Sequence, residues 1–506
     1  MATPQDSPPE ASEGADSDEA IRPGVLAAWL VLSAVPSACL VAVTNVIATD
    51  LGSLPLVWVI PLCLYLLSFV LTFGPKERYP WFIRRFTGEI LVFGLVLWAA
   101  GGHFTWFAGL GHLVVLTWVC WVAHGELYRA RPAPRRLTTF YLCVSLGGWI
   151  GGFLVAFVAP RVFTGLWEYP LALGALGLTL LALRRRQILA YVQKAHILQT
   201  SASLIVASLA LIYLGVDQAL SPVRPLAFRN EYGVYKIGTI PLRDENGKRI
   251  VVNGKPANMR AMSHGTIIHG KQIVEIPEFP IGYFGPYSPL GVALRLRPSP
   301  AKVAIVGLGA GTLGCNLDPR DELTYYELDP DVEVLARKHF TYLELTKATL
   351  LPTRTGDARL ELSKDPPGTF DVILVDAFSS DSIPIHLLTR EAFELYRSRL
   401  KPDGWLILHI SSRYYDLRPV VRATAASLDP PLVGAIRETV NEDPLELARR
   451  FEDASSAYAL ANDLADLQPL LKNRFVEQSL VKMPTLSPWS DDYANVLGAL
   501  WAHGQR

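Results

Sequence analysis

Seven apolar runs follow one another in the first 216 residues of this chain, and no other feature restricts its fold so strongly. They fall at about 25–49, 54–73, 88–105, 107–124, 139–159, 168–183 and 198–216. A helix needs roughly 20 mostly apolar residues to cross the hydrocarbon core of a bilayer. A run of this kind can also be a helix buried in a soluble core, but seven in succession point to membrane-spanning helices. Only a few residues around Phe104–Phe107 separate the third run from the fourth.

The loops between the runs carry an orientation signal. Lys76, Arg78, Arg84 and Arg85 lie in one loop, Arg129, Arg131, Arg135 and Arg136 in the next, and Arg184, Arg185, Arg186 and Lys194 in a third. Of the basic residues, the intervening loops hold only Arg161. Basic loops stay on the cytoplasmic side, which expects a multi-pass protein of the cell (inner) membrane with its N-terminus inside. With seven spans the C-terminal half then lies outside. Glu89, His103, His112, His124 and Glu168 are the ionisable residues within the runs, all toward their ends. Intramembrane charges usually mark a pathway, so a transport route has little support and an anchor or a substrate-delivering chamber is the plainer reading.

Charge and cysteine usage exclude several classes. The 47 basic and 47 acidic residues balance among 506, which suggests neither nucleic acid nor an acidic tail, and half of the residues are apolar. Cys39, Cys63, Cys120 and Cys143 sit in apolar runs and Cys315 in a glycine-rich loop. None forms a CxxC pair, so no disulfide framework or metal site is expected. Residues 1–22 are polar and acidic without a basic stretch, which reads as a disordered tail rather than a cleaved signal.

After the helical bundle, taken as 23–218, the pattern changes. Short β-like runs at Gly233-Val-Tyr-Lys-Ile, Arg249-Ile-Val-Val and Thr266-Ile-Ile are broken by Asn246-Gly247 and Asn253-Gly254, which are hairpin signals. A small β-domain is expected over 224–290. It ends in His264-Gly265 and His269-Gly270 with Gln272 just after: plain turn residues, or an edge that covers a ligand site with Gln272 on a substrate.

Residues 291–506 read as an α/β Rossmann-like domain. The buried strand Lys302-Val-Ala-Ile-Val runs into Gly307-Leu-Gly-Ala-Gly-Thr-Leu-Gly314. Gly307, Gly309 and Gly311 let the backbone turn tightly toward a ligand, and a helix N-terminus beyond them would offer free N–H groups. Residues 309–314 also fit the dinucleotide pattern GxGxxG. The next strand ends in Glu327, which can accept both ribose hydroxyls of an adenosine cofactor. Beyond a third strand, Thr355-Gly-Asp-Ala358 sets Asp357 to take an adenine amino group and the Ala358 N–H to reach a ring nitrogen. Phe370-Asp-Val-Ile-Leu-Val then ends in Asp376 at the carboxyl edge of the sheet, where ligands of open α/β sheets bind. Dinucleotide enzymes need no such third and fourth acids, so the four stations favour an S-adenosyl sulfonium. The adjacent acids of Trp489-Ser-Asp-Asp-Tyr493 form either a flap over the site or a surface turn.

These motifs resemble the spermidine/spermine synthase family, the polyamine aminopropyltransferases, and more narrowly its membrane-fused bacterial members. The resemblance covers roughly 229–500. It rests on Tyr232-Gly-Val-Tyr, the His-Gly…His-Gly-x-Gln stretch, the glycine loop, Glu327-Leu-Asp-Pro, Gly356-Asp-Ala, and Asp376 followed by Lys401-Pro-Asp-Gly. It implies a methyltransferase-like fold, often dimeric, that uses decarboxylated S-adenosylmethionine and no metal. Glu327 would hold the ribose, Asp357 the adenine, and Asp376 would be the catalytic carboxylate. Gln272, Tyr283 and Asp381 are candidate substrate contacts.

The chemistry suits that role. An amine with a pKa near ~10 is protonated in water, and attack on the carbon beside a sulfonium needs its lone pair free. A carboxylate can orient the ammonium and accept its proton. Two positions depart from the family pattern. Ala310 stands where an acid grips the aminopropyl amine, and Asp376-Ala-Phe-Ser-Ser-Asp381-Ser-Ile-Pro384 replaces Asp-x-x-Asp-Pro. The expectation is a membrane-integrated aminopropyltransferase acting on putrescine or a related small amine. An S-adenosylmethionine-dependent methyltransferase and a non-catalytic polyamine-binding or transport protein are the alternatives.

Overall fold

The computed structural model describes residues 21–51, 55–74, 78–100, 106–193, 225–244, 247–265, 267–378, 384–412 and 415–504. The tail up to residue 20, His103, the apolar run at 198–216 and Asp381 lie outside these residues.

The first half is a bundle of helices: α1 (Pro23–Leu51), α2 (Pro55–Phe73), α3 (Thr87–Ala99), α4 (Trp106–Arg129), α5 (Leu137–Phe153) and α6 (Glu168–Gln193). A π turn, Leu154–Val158, carries α5 on to Val162. Among the described residues three helices are long and apolar enough to cross a membrane, Pro23–Thr49, Phe107–Arg129 and Pro134–Val162, whereas Trp58–Phe73 and Thr87–Ala99 are apolar but shorter. Of the seven expected spans, three are met among the described residues, and the seventh run lies outside them. Of the run expected at 88–105, the described helix Thr87–Ala99 has 13 residues, about 20 Å of rise against a core of about 30 Å, and residues 101–105 lie outside the described ones.

Small residues bring α1 and α5 together. A Cβ on Gly147 would lie 2.1 Å from Ser33 Oγ, and one on Gly151 would lie 2.1 Å from the Ala34 carbonyl. Glycines four apart share a helix face, and their lack of side chains lets two backbones approach. His124 pairs with Ser68 at 3.0 Å, and His112 with the Tyr169 hydroxyl at 3.3 Å, so both histidines are tied into helix packing.

The bundle has two chemically different ends. At one, Arg184 reaches Glu126 and the Tyr79 hydroxyl, while Arg84 and Arg129 lie over the Tyr79 ring. Glu168 starts α6, sixteen residues before Arg184, so the other end is about 24 Å away. There Glu168 makes a two-pronged ion pair with Arg229, at 2.8 and 2.9 Å. Arg229 belongs to the strand that opens the second half.

That half begins with an antiparallel sheet, β1 (Leu226–Asn230), β2 (Gly233–Pro241), β3 (Asn258–His264) and β4 (Ile267–Ile273), hydrogen-bonded in that order. The turn between Val251–Val252 and Lys255–Pro256 has Asn253 and Gly254 both at positive φ, 50° and 75°, as a tight primed hairpin turn requires. Gly265, after β3, presses against the end of α1: a Cβ there would lie 2.1 Å from the Thr49 carbonyl. The β-sheet is therefore seated on the end of the bundle that lacks the arginine cluster.

A second, larger sheet follows, built on β5 (Lys302–Val306), β6 (Glu322–Glu327), β7 (Phe370–Val375), β8 (Leu400–His409), β9 (Val433–Glu438) and β10 (Ser456–Ala461). Its spatial order is Arg354–Thr355, β6, β5, β7, β8, β10, β9, Val476–Glu477. The first five run parallel, and β10 is antiparallel to its neighbours. All six residues of β7 are buried, the mark of a central strand covered on both faces. The strand order reverses between β5 and β7, and a crevice opens at such a switch point beyond the carboxyl ends of the strands. This is the Rossmann-like sheet of a methyltransferase-type fold.

Candidate active site

The backbone ladder continues one residue past each strand end and brings the four stations together. Gly307 N–H donates to Tyr326 O, Asp376 N–H to Val306 O, and Gly356 N–H to Glu327 O, at 2.8, 2.8 and 2.9 Å. Gly307, Gly309, Glu327, Asp357, Ala358 and Asp376 all line one cleft, with about 1060 Å³ of empty space open to solvent. Tyr235, Met262, His264 and His269 of the β-sheet form the facing wall, with Tyr283 and Phe378 at the Asp376 end.

The glycine loop is shaped by positive φ at Gly307 (95°), Gly309 (53°) and Gly311 (81°), a region that disfavours side chains. A Cβ on Gly307 would sit 2.4 Å from the Asp376 carbonyl, and one on Gly309 would sit 2.3 Å from the His269 carbonyl. Gly311 packs under Leu343 rather than on the cleft. The expected α-helix N-terminus after the loop is absent: Thr312–Asn316 is a short 3₁₀ turn. No helix end therefore faces the cleft, and the N–H groups of Gly307, Leu308, Ala310 and Gly311 are already donated to Tyr326, Glu327, His269 and Leu308.

Glu327 accepts the N–H of Leu308 at 2.9 Å and of Asp329 at 3.1 Å. Burial raises its carboxyl above the usual range, and those two N–H groups oppose the rise. Asp329 is held in turn by Asn230 of β1, whose amide reaches both carboxylate oxygens at 2.9 and 2.8 Å. Asp357 caps a helix, Ala358–Ser363, by accepting the Leu360 N–H. Its other oxygen lies 3.1 Å from His386 Nε2. Tyr235, His264 and His269 stand with neighbouring ring centres 5.2 and 5.9 Å apart, and burial, with His264 alongside, pushes the His269 imidazole down to about 3. That wall is neutral.

Asp376 is buried, and burial raises its carboxyl while His409 opposes the rise. His409 Nδ1 lies 2.6 Å from Asp376 Oδ1. Neither His409 nor His386 stood out in the sequence. Both close contacts across separate segments, 33 and 29 residues from their acids. The only local signal was a histidine ending the apolar strand Trp405-Leu-Ile-Leu-His.

Other expectations need correction. Gln272 does not reach the cleft. It is 2% exposed, and its amide donates to the Pro277 carbonyl and to Thr341. Gln272 is therefore not among the residues that line the cleft, whereas His269 is. Ala310 is 1% exposed and its N–H donates to the His269 carbonyl. The acids near the C-terminus do not cap the cleft: Asp491 pairs with Arg359 at 2.7 Å and accepts from Thr389, and Arg359 also donates to the His386 carbonyl. Asp491 thus braces the segment that carries His386 toward Asp357.

No family model matches the chain. Individual proteins do. The chain is 33% identical over 142 residues to the polyamine aminopropyltransferase of Vibrio vulnificus (strain CMCP6), which covers 26% of this chain and 46% of that protein. It is 24% identical over 369 residues to the polyamine aminopropyltransferase of Oceanobacillus iheyensis, 68% of this chain and 64% of that protein. Fewer than 300 residues lie beyond Arg224, so this second similarity reaches back into the helical half. The chain spans about half the length of these curated relatives. Among solved structures, a probable spermidine synthase from Corynebacterium glutamicum ATCC 13032 is similar at 19% identity and a TM-score of 0.36, covering 51% of this chain and 91% of that one. The spermidine synthase from Thermotoga maritima gives 18% and 0.34, over 55% and 84%. The curated proteins to which the chain is similar are thus polyamine aminopropyltransferases, matched over part of their length.

Proposed function

We propose that this protein is a transferase that moves an aminopropyl group from decarboxylated S-adenosylmethionine to a small amine, most simply putrescine. One observation carries the reading: Glu327, Asp357 and Asp376 converge from three strand ends on one cleft, around a glycine loop whose backbone leaves no room for side chains. Glu327 would accept the ribose hydroxyls, Asp357 would accept from the adenine amino group, and Ala358 N–H would meet a ring nitrogen. The sulfonium supplies an activated carbon and a neutral thioether leaving group. Asp376 at the opposite end would orient the acceptor amine and take its proton. Tyr283 and Phe378 form apolar walls beside it. Asp381 is a further proposed acceptor contact.

Ala310 favours a second reading, methyl transfer from S-adenosylmethionine. Its buried methyl offers no acid to grip a donor amine, so selection for the decarboxylated donor weakens. Incubating the purified full-length protein with each labelled donor and putrescine separates the two. Methylthioadenosine with spermidine supports aminopropyl transfer, and S-adenosylhomocysteine supports methyl transfer. Neither product, with either donor, overturns both.

The protein is further proposed to sit in a cell membrane, supported by the three long apolar helices, with the arginine-rich end in the cytoplasm. The α/β half meets the other end through Arg229 and Gly265, which supports a catalytic half on the non-cytoplasmic side.

A further inference from the structure

Asp376 is one member of a buried chain of groups. His409 Nδ1 lies 2.6 Å from its Oδ1, and His409 Nε2 lies 2.8 Å from Ser411 Oγ. Ser411 Oγ in turn accepts the Ser456 N–H at 2.8 Å. The Asp376 and His409 side chains are 6% and 5% exposed. Aromatic rings clamp the imidazole on two sides: Tyr283 stacks on it at 4.6 Å with an interplanar angle of 30°, and Phe378 meets it edge-on at 4.8 Å. Asp376, Tyr283 and Phe378 line the cleft, and His409 stands behind them.

We infer that His409 is a positioning residue for the transfer, holding Asp376 by its Oδ1 so that the carboxylate stays ionised and presents Oδ2 to the incoming nucleophile. The inference rests on Asp376 being the proton acceptor of the proposed reaction. Two acceptor atoms do not sit 2.6 Å apart without a proton between them, so Nδ1–H donates to the carboxylate. Ser411 completes the arrangement at Nε2, where its hydroxyl can donate because its oxygen already accepts from Ser456. An imidazole pinned at both nitrogens, stacked by Tyr283 and met edge-on by Phe378, holds the carboxylate in place. Among the described residues Oδ2 has no hydrogen-bond partner, which leaves it for the acceptor.

The step then balances. The neutral amine nitrogen gives its lone pair to the carbon beside sulfur, the C–S bond breaks, and its electron pair goes to sulfur to leave a neutral thioether. The surplus proton on the new ammonium passes to Oδ2, while Nδ1–H remains on Oδ1. A buried carboxylate without such a donor would be driven toward its protonated form, which cannot take that proton. Titratable groups facing the pair are Tyr283, with Asp453 and its partner Lys271 behind it, Tyr325 on β6, one strand beyond β5, and Glu438 behind Ser456, itself paired with Arg418.

Three substitutions in the full-length protein test the inference, with kcat, donor KM and the pH dependence of kcat as readouts. In His409→Asn the amide nitrogen takes the place of Nδ1 and can still donate to Asp376. In His409→Gln it takes the place of Nε2 and meets Ser411 instead, and His409→Leu donates to neither. We expect Leu and Gln to lower kcat by about tenfold to a hundredfold, with donor KM within about twofold and the acidic limb of the pH profile moved to higher pH. Asn should recover most of kcat and return the limb. Equal loss in Asn and Gln, or a limb that does not move in Leu and Gln, would overturn the inference and leave His409 a packing residue. Donor binding by calorimetry reports whether each variant is folded, and if Leu fails to fold the comparison of Asn with Gln decides alone. A wild-type protein that transfers nothing from either donor defeats the proposed reaction itself, an outcome distinct from active wild type with unaffected variants.

Discussion

Arg229 and Glu168 meet in a two-pronged ion pair that joins the first strand of the α/β half to the first turn of a bundle helix, with both side chains 4% exposed. A buried pair of this kind contributes little net stability over apolar residues, yet removing one partner strands a charge. Arg229→Ala or Glu168→Ala should each destabilise the protein by about 3–5 kcal/mol. The double change Glu168→Leu with Arg229→Met should cost less than either. Thermal unfolding of the four proteins in detergent compares them, and a double variant less stable than either single one would contradict the expectation.

Asp376→Asn should lower kcat by about 10²- to 10⁴-fold, the usual worth of a positioned proton acceptor, with donor affinity kept. Turnover near the wild-type rate would remove Asp376 from the mechanism.

The same substitution carries a stability signature. Burial raises the Asp376 carboxyl above its unfolded value even though His409 opposes the rise. The folded protein therefore holds that proton more tightly than the unfolded chain, and stability falls as pH climbs from near ~4 through the raised folded value. Asparagine cannot ionise. The variant should melt with the wild type below that window and above it at neutral pH. Melting curves at acid and neutral pH decide, and a gap of the opposite sign would count against a raised carboxyl.

Asp357 offers a contrast, since it is placed to read the donor rather than to move a proton. Asp357→Asn should raise donor KM about tenfold to a hundredfold, in line with a lost hydrogen bond to a charged group, and leave kcat nearly unchanged. A loss confined to kcat would reassign it.

Protease added to intact cells should cut the α/β half, if the end of the bundle opposite Arg84, Arg129 and Arg184 faces outward. Protection until the membrane is opened would place that half in the cytoplasm.

The carboxylates of the cleft were legible in the sequence because they lie at or just beyond strand ends. Buried runs such as Phe370–Val375 announce central strands, and the residue after each must emerge at one edge of the sheet. Asp376 follows from that alone, while Glu327 closes its own strand and Asp357 comes two residues after a short exposed one. The histidines that brace the acids were not legible, because His409 and His386 act through contacts between separate segments that no local spacing encodes. Gln272 misled for a related reason: beside two histidine-glycine pairs it looks like part of a motif, but its amide is taken up by the Pro277 carbonyl and Thr341. Apolar runs marked the bundle helices, while length was harder to read. In the run expected at 88–105 the described helix ends at Ala99, short of a full span.

The meeting of Gly270 with the glycine loop limits how this site can change over time. A Cβ at 270 would fall 2.2 Å from the Ala310 Cβ, so the two positions share the space of a single methyl group. Any larger residue at one demands a backbone shift at the other, and that backbone also carries His269 and Gly309. Altering the donor through position 310 alone would cross a valley of misfolded intermediates. Lineages that exchange one sulfonium donor for another by this route should show paired substitutions at 270 and 310, and engineered libraries should vary the two together.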